Sequence, residues 1–284
     1  MEKIAVVTDT GSNLSFAQAK ELGIYLLPLQ ITIDETTYQD TLEISTQDIY
    51  NELANGKMPK TSMAAYQKIY DLFEELKKDY DTIFAVPLTN GLSTNASTMQ
   101  SIARELEMNV HVIDMYATCA LEKHVAIWIK KLVDEHKSSE EILKIIQPAI
   151  DESNSLILVK NLQHLKRGGR LTPMAAALAG LLKIYPVLHI NKSTEGRIDV
   201  LNKVRTEKRA DAYAIDKIMD DIDIQHTHIY IIHSNFLEGA DHFKKCFIEK
   251  GVPEQNIHID YISSVIAVHT GLGCIAIQYI REEN

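Results

Sequence analysis

Ile4-Ala-Val-Val-Thr8 runs straight into Asp9-Thr10-Gly11-Ser12-Asn13, an apolar strand delivered into a hydroxyl-rich turn. The same order recurs at Ile83-Phe-Ala-Val86, which leads to Thr89-Asn90-Gly91-Leu92-Ser93-Thr94-Asn95. It recurs again at Val110-His-Val-Ile-Asp114, which leads to Tyr116-Ala117-Thr118. Continuous apolar strands suit a parallel sheet covered on both faces. Ligands of such sheets lie beyond the carboxyl ends of the strands. Hydroxyls and free N–H groups at helix N-termini make that edge ready to hold an anion. The first half therefore predicts a parallel-sheet α/β domain that grips a negative head group.

Between these units the pattern predicts a helix from Ser15 to Leu22 stopped by Gly23, and a strand from Ile24 to Ile33 entering at Pro28. Ser45 with Asp48 and Ser138 with Glu141 read as capping boxes. Ala64 to Lys78 reads as an amphipathic helix on Ile69, Leu72, Phe73 and Leu76. Beyond about Asp151 the grammar changes. Strands are expected at Leu156–Val159, Ile184–Ile190, Arg197–Val204, His228–His233, Asn256–Ile262 and Cys274–Ile280. Helices are expected at Thr172–Leu182, Glu207–Asp220 and Gly239–Lys250, and a short helix or turn at Asn161–Lys166. Strands separated by turns and helices predict a mixed α+β second domain. The expected domains are residues 1–153 and 154–284.

Composition narrows the function. The 284 residues carry 29 basic and 39 acidic side chains, a formal charge of −10, which opposes broad nucleic-acid or anionic-membrane binding. At most transient membrane contact is expected, because no apolar run approaches the ~20 residues of a span. Cys119, Cys246 and Cys274 are scattered and odd in number, as in a reducing, cytoplasmic setting. No phosphate loop, dinucleotide fingerprint or His/Cys metal spacing is found, so neither cofactor nor metal is expected.

Four local sites stand out. In Thr89–Asn95, Gly91 permits a tight turn and Ser93 or Thr94 can bond an anion, or simply cap a helix. Lys60-Thr61-Ser62 offers hydroxyls under the same two readings. Lys166-Arg-Gly-Gly-Arg170 sets three cations around two glycines, and Arg170 can fork onto a carboxylate. His269-Thr-Gly-Leu-Gly273 needs a bent or closely approached backbone and places a histidine beside it. Ala175 to Leu182, with Ile184 and Tyr185, can line an apolar cavity or pack a helix closely on a sheet.

Val7-Thr-Asp-Thr10, Lys60-Thr-Ser62, Gly91-Leu-Ser93, Leu162-Gln-His-Leu-Lys-Arg-Gly-Gly-Arg170 and His269-Thr-Gly-Leu-Gly273 come in an order and spacing that resembles the DegV family over essentially the whole chain. The resemblance implies a two-domain α/β protein with a long-chain fatty acid buried between the domains. It implies that Thr61, Ser62, Ser93, Thr94 and His269 hold the carboxylate. Arg170 and Arg205 would face the head group or a partner. The implied partner is a separate ATP-dependent fatty acid kinase with a dihydroxyacetone-kinase-like domain, which would make the acyl phosphate. The chain itself would be a binding subunit and no enzyme. Three segments depart from the family pattern: Met63-Ala64-Ala65 where Gln-Pro-Ser is usual, Thr94-Asn95 where Gly-Thr is usual, and Leu272 where proline is usual.

Two other readings stay open at this point. Gly91-Leu-Ser-Thr-Asn95 follows a strand and opens a helix like a nucleophile elbow, and Ser93, Asp114 and His269 fall in the order of a serine hydrolase. A lipid-sensing regulatory module without a kinase would carry the same residues.

Overall fold

The computed structural model describes residues 2–181 and 183–282. The chain divides into one unit of Met1–Pro148 with Ser263–Val268 and another of Ala149–Ile262 with His269–Asn284. A single cut between residues 153 and 154 does not contain that return of Ser263–Val268.

The first unit is built on β1 (Ile4–Asp9), in which every residue is buried. After β1 come α1 (Phe16–Leu22), β2 (Tyr25–Leu27), β3 (Gln30–Ile33) and β4 (Thr36–Gln39). Then come α2 (Thr46–Ala54), β5 (Lys60–Ser62), α3 (Tyr66–Leu76), β6 (Thr82–Val86), α4 (Asn95–Glu105), β7 (Asn109–Val112), α5 (Ala120–Asp134) and α6 (Ser139–Glu152). The main sheet runs β2-β1-β6-β7, parallel throughout. The two central strands, β1 and β6, are buried at every residue, with Ile69 and Phe73 of α3 and Met99 and Ile102 of α4 fully buried in the same core. Each such side chain contributes about 1.5–3 kcal/mol by leaving water. The expected caps form at Ser45 with Asp48 and Ser138 with Glu141, and a further capping box joins Ser15 and Gln18.

One expected strand is two. Ile24–Ile33 breaks at Pro28, which has no N–H to give a ladder. β2 stays in the parallel sheet, whereas β3 enters a separate antiparallel sheet of order β4-β3-β5. Thr10 holds the corner, its Oγ1 accepting from Leu29 N at 3.1 Å.

The second unit contains β8 (Asn154–Leu158), α7 (Leu162–Arg167), α8 (Pro173–Leu178), β9 (Tyr185–Ile190), β10 (Asp199–Val204), α9 (Glu207–Asp221), β11 (Thr227–His233), α10 (Leu237–Glu249), β12 (Ile257–Tyr261) and β13 (Ile275–Arg281). Its six-stranded sheet runs β10-β9-β8-β13-β11-β12 and is antiparallel except at β11–β12. This is the mixed second sheet that the sequence implies. α9 and α10 bury Ala210, Ala214, Phe243 and Phe247 against Leu156, Ile229, Ile231 and Ile277. α8 is shorter than expected: Thr172 caps it, Pro173 opens it, and it ends at Leu178. The expected end at Leu182 lies outside the described residues. α11 (Ser264–Thr270) was not foreseen, and it carries His269 in its last turn.

Candidate functional site

In the first unit the carboxyl ends of the parallel strands are organised by Asp9. It is fully buried and accepts from Gly11 N at 2.8 Å, Leu88 N at 2.9 Å and Asn95 Nδ2 at 2.6 Å. One carboxylate thus fixes the turn after β1, the turn after β6 and the first residue of α4. Its neighbour Glu122, in the first turn of α5, is also fully buried and accepts from Thr8 Oγ1 at 3.2 Å. Burial, and then the negative charge of Asp9, push the Glu122 carboxyl well above the usual range. Burial raises the Asp9 carboxyl as well, against its bonds from Leu88 N, Gly11 N and Asn95 Nδ2, which favour the charge, so Glu122 is the member of the pair that holds a proton more firmly.

On this frame the expected hydroxyls take distinct places. Thr61 lies on β5 opposite Ile31 and is half-buried. Ser62, next along the strand, points the other way, is exposed, and donates to Gln30 Oε1 at 3.0 Å. Ser93 is half-buried and its Oγ accepts from Asn95 N at 3.2 Å, so it caps α4. Thr94 is exposed and makes no cap of its own. Its hydroxyl meets Met63 Sδ at 3.5 Å, and Thr98 Oγ1 meets the same sulfur at 3.3 Å. Met63, a departure from the family pattern, thus links the Thr61-Ser62 segment to the first turn of α4. Asp114 is occupied by backbone: its oxygens accept from Asn90 N at 3.2 Å and Tyr116 N at 2.9 Å. These two bonds tie the turn at Asn90 to the turn at Tyr116.

In the second unit two motifs far apart in sequence interlock. A Cβ on Gly168 would fall 2.8 Å from Nδ1 of His269, and a Cβ on Gly271 would fall 3.1 Å from the ring of His164. Gly271 also has φ of +75°, a conformation glycine adopts without strain. The bare backbone at Gly168 is therefore what lets the imidazole of His269 seat against α7. Arg170 closes the turn, its Nη1 donating to Gly168 O at 2.6 Å. Burial pushes His269 down to about 3, with the charge of Arg170 and then His164 adding to it. A neutral imidazole beside a guanidinium can donate one hydrogen bond to an anion and needs no proton from solvent. Arg205 is exposed in the turn from β10 to α9.

Among the described residues no group of three or more His, Cys, Asp or Glu could hold a metal. No described helix is long and apolar enough to cross a membrane. Sequence reasoning missed Asp9 and Glu122 as organisers. Asp9 belongs to the Val7-Thr-Asp-Thr10 motif, and its place at the end of a mostly apolar strand was the available signal.

A parallel α/β unit joined in one chain to a unit with a mixed sheet defines the fold class. A model of the family described as "Uncharacterised protein, DegV family" matches residues 3–282. The chain belongs to the DegV family. It is 31% identical to a DegV domain-containing protein of Halalkalibacterium halodurans, over 100% of both chains. Among solved structures it is similar to a fatty acid binding DegV family protein of Streptococcus agalactiae, with a TM-score of 0.91, 29% identity and 100% of both chains covered. It is also similar to DegV, a fatty acid binding protein of Bacillus subtilis, with a TM-score of 0.86, 27% identity, and 99% of this chain and 100% of that one covered.

Proposed function

We propose that this protein binds one long-chain fatty acid and presents its carboxylate to a separate ATP-dependent fatty acid kinase. The observation that carries the reading is the His164–Gly168–Arg170–His269 cluster. It offers an anion a fixed neutral imidazole and a nearby guanidinium, in a family whose solved members from two organisms are described as fatty acid binding. In this reading His269 donates to the carboxylate, and the hydroxyls of Thr61, Ser93 and Thr94 complete the grip. Ser62, exposed and bonded to Gln30, orients its strand neighbour Thr61. Arg170 and Arg205 face the head group or the kinase.

The division of labour follows from energetics and chemistry. A buried methylene contributes ~0.8 kcal/mol, so about fourteen contribute on the order of 11 kcal/mol before ordering costs. The tail supplies affinity and the polar cluster supplies orientation. A carboxylate reacts with neither alcohol nor thiol until it is activated, and phosphorylation by the kinase is that activation. The kinase, with a dihydroxyacetone-kinase-like domain, reads the exposed Arg205 and the half-buried Arg170.

The test is titration with oleate of the wild type and of Thr61→Val, Ser93→Ala and His269→Ala. A hydrogen bond to a charged group is worth about 1.5–3 kcal/mol, so His269→Ala weakens binding roughly 10- to 150-fold. Unchanged affinity in all three variants would remove these residues from the site. Hydroxylamine-trappable acyl phosphate, formed from ATP by the isolated chain, would overturn the separate kinase.

A further inference from the structure

The second unit has a cavity on its α9–α10 side, lined by none of His164, Gly168, Arg170 and His269. Its volume is about 490 Å³, within the range of small-ligand sites. The floor is apolar, made by Leu158, Phe243 and Ile275. The rim carries Glu207 and Asp211, one helical turn apart on α9, and Glu238 in the first turn of α10.

Two glycines shape its aromatic wall. The ring of Phe236 lies so close on Gly239 that a Cβ there would fall 2.3 Å from it. The stem of Lys160 crosses Gly273, where a Cβ would fall 2.8 Å from its Cγ. Gly273 is the last residue of the His269–Gly273 motif, and its φ of +75° is one glycine adopts without strain. Seated this way, Lys160 holds its ammonium 4.9 Å from the centre of the Phe236 ring and pairs with Glu207. The chain thus already recognises an ammonium in this cavity by an aromatic face and a carboxylate. Lys160 pairs directly with Glu207, and its charge with that of His242 on the same wall only partly offsets the burial of Asp211. Asp211 is half-buried, and burial raises its carboxyl above the usual range, so a further cation there relieves a desolvated charge.

We propose that this cavity binds a small organic ammonium ion carrying an apolar group, the ammonium between Phe236 and Asp211 and the apolar group on the Leu158–Phe243–Ile275 floor. Lys160 acts as an internal competitor for the same recognition. The site is separate from the residues assigned to the fatty acid and does not depend on that assignment.

The test is calorimetric titration of the full chain with benzyltrimethylammonium and with its uncharged counterpart, benzyl alcohol. Saturable binding is expected, at least 10-fold tighter for the cation. Asp211→Asn weakens it at least 10-fold, and Lys160→Met tightens it several-fold because the competitor is gone. Thermal melts confirm that both variants fold, and oleate uptake stays unchanged in both. Absence of saturable binding at millimolar cation overturns the proposal. So does equal affinity for benzyl alcohol, or weaker binding by Lys160→Met.

Discussion

Asp40 couples the stability of the first unit to pH, and Asp40→Asn uncouples it. The carboxyl is buried, and its Oδ1 accepts from Ser264 at the start of α11. Burial pushes it from the ordinary 3.8 to about 6, against the hydrogen bonds from Ser264, Thr10 and Thr41, which favour the charge. The sign follows from which state holds the proton. Below pH 3.8 the group is protonated whether folded or unfolded. As pH rises toward 6 the unfolded chain ionises first, so the folded state loses relative stability, and the loss is complete above pH 6. A gap of about two units at 1.36 kcal/mol each amounts to about 3 kcal/mol. Asparagine keeps an acceptor for Ser264 and cannot ionise. Asp40→Asn is therefore expected to gain on the wild type by about 3 kcal/mol between pH 4 and pH 7.5. Urea unfolding followed by fluorescence of the single tryptophan, Trp128 on α5, reads the first unit directly. A difference between the two proteins that does not change with pH would refute the reasoning.

Gly168→Ala keeps an ordinary helical φ but drives a methyl to 2.8 Å from His269 Nδ1. It is expected to displace the ring and weaken oleate binding about 10-fold, a cost of ~1.4 kcal/mol, with little change in melting temperature, read by calorimetry and a thermal melt. His269 is expected to stay neutral down to pH 5 in an imidazole NMR titration, since its folded value is about 3. Its contribution to stability is full above pH 6.5 and is lost as pH falls below that, because only the unfolded chain then takes up the proton. Glu122→Gln retains a donor for Asp9 and removes an ionisable group raised by burial, so it is expected to be stabilising at pH 8 and close to neutral at pH 5 in denaturant melts.

The parallel first unit was legible because each strand, turn and helix is contiguous, and a run such as Ile4–Thr8 has no other stable home than a covered sheet. The strand that changes sheets at Pro28 was not. A proline ends a ladder, but which sheet receives β3 depends on partners at Thr36–Gln39 and Lys60–Ser62. Reading Lys60–Ser62 as a strand would have shown that Thr61 and Ser62 must face opposite ways. The glycines of the Gly168-Gly169 and His269–Gly273 motifs marked close approach, yet their sequence could not say that Gly168 receives His269, Gly271 receives His164 and Gly273 receives Lys160. Asp9 escaped notice for a related reason. A carboxylate becomes a hub only when the ends of β1, β6 and α4 converge on it.

The central claim is that this protein carries a fatty acid. Native mass spectrometry of the purified chain, followed by solvent extraction and identification of any lipid, tests it most directly. The account predicts one fatty acid per chain, or stoichiometric uptake of added oleate by chains purified empty. A protein that arrives empty and takes up no oleate, palmitate or stearate would contradict it.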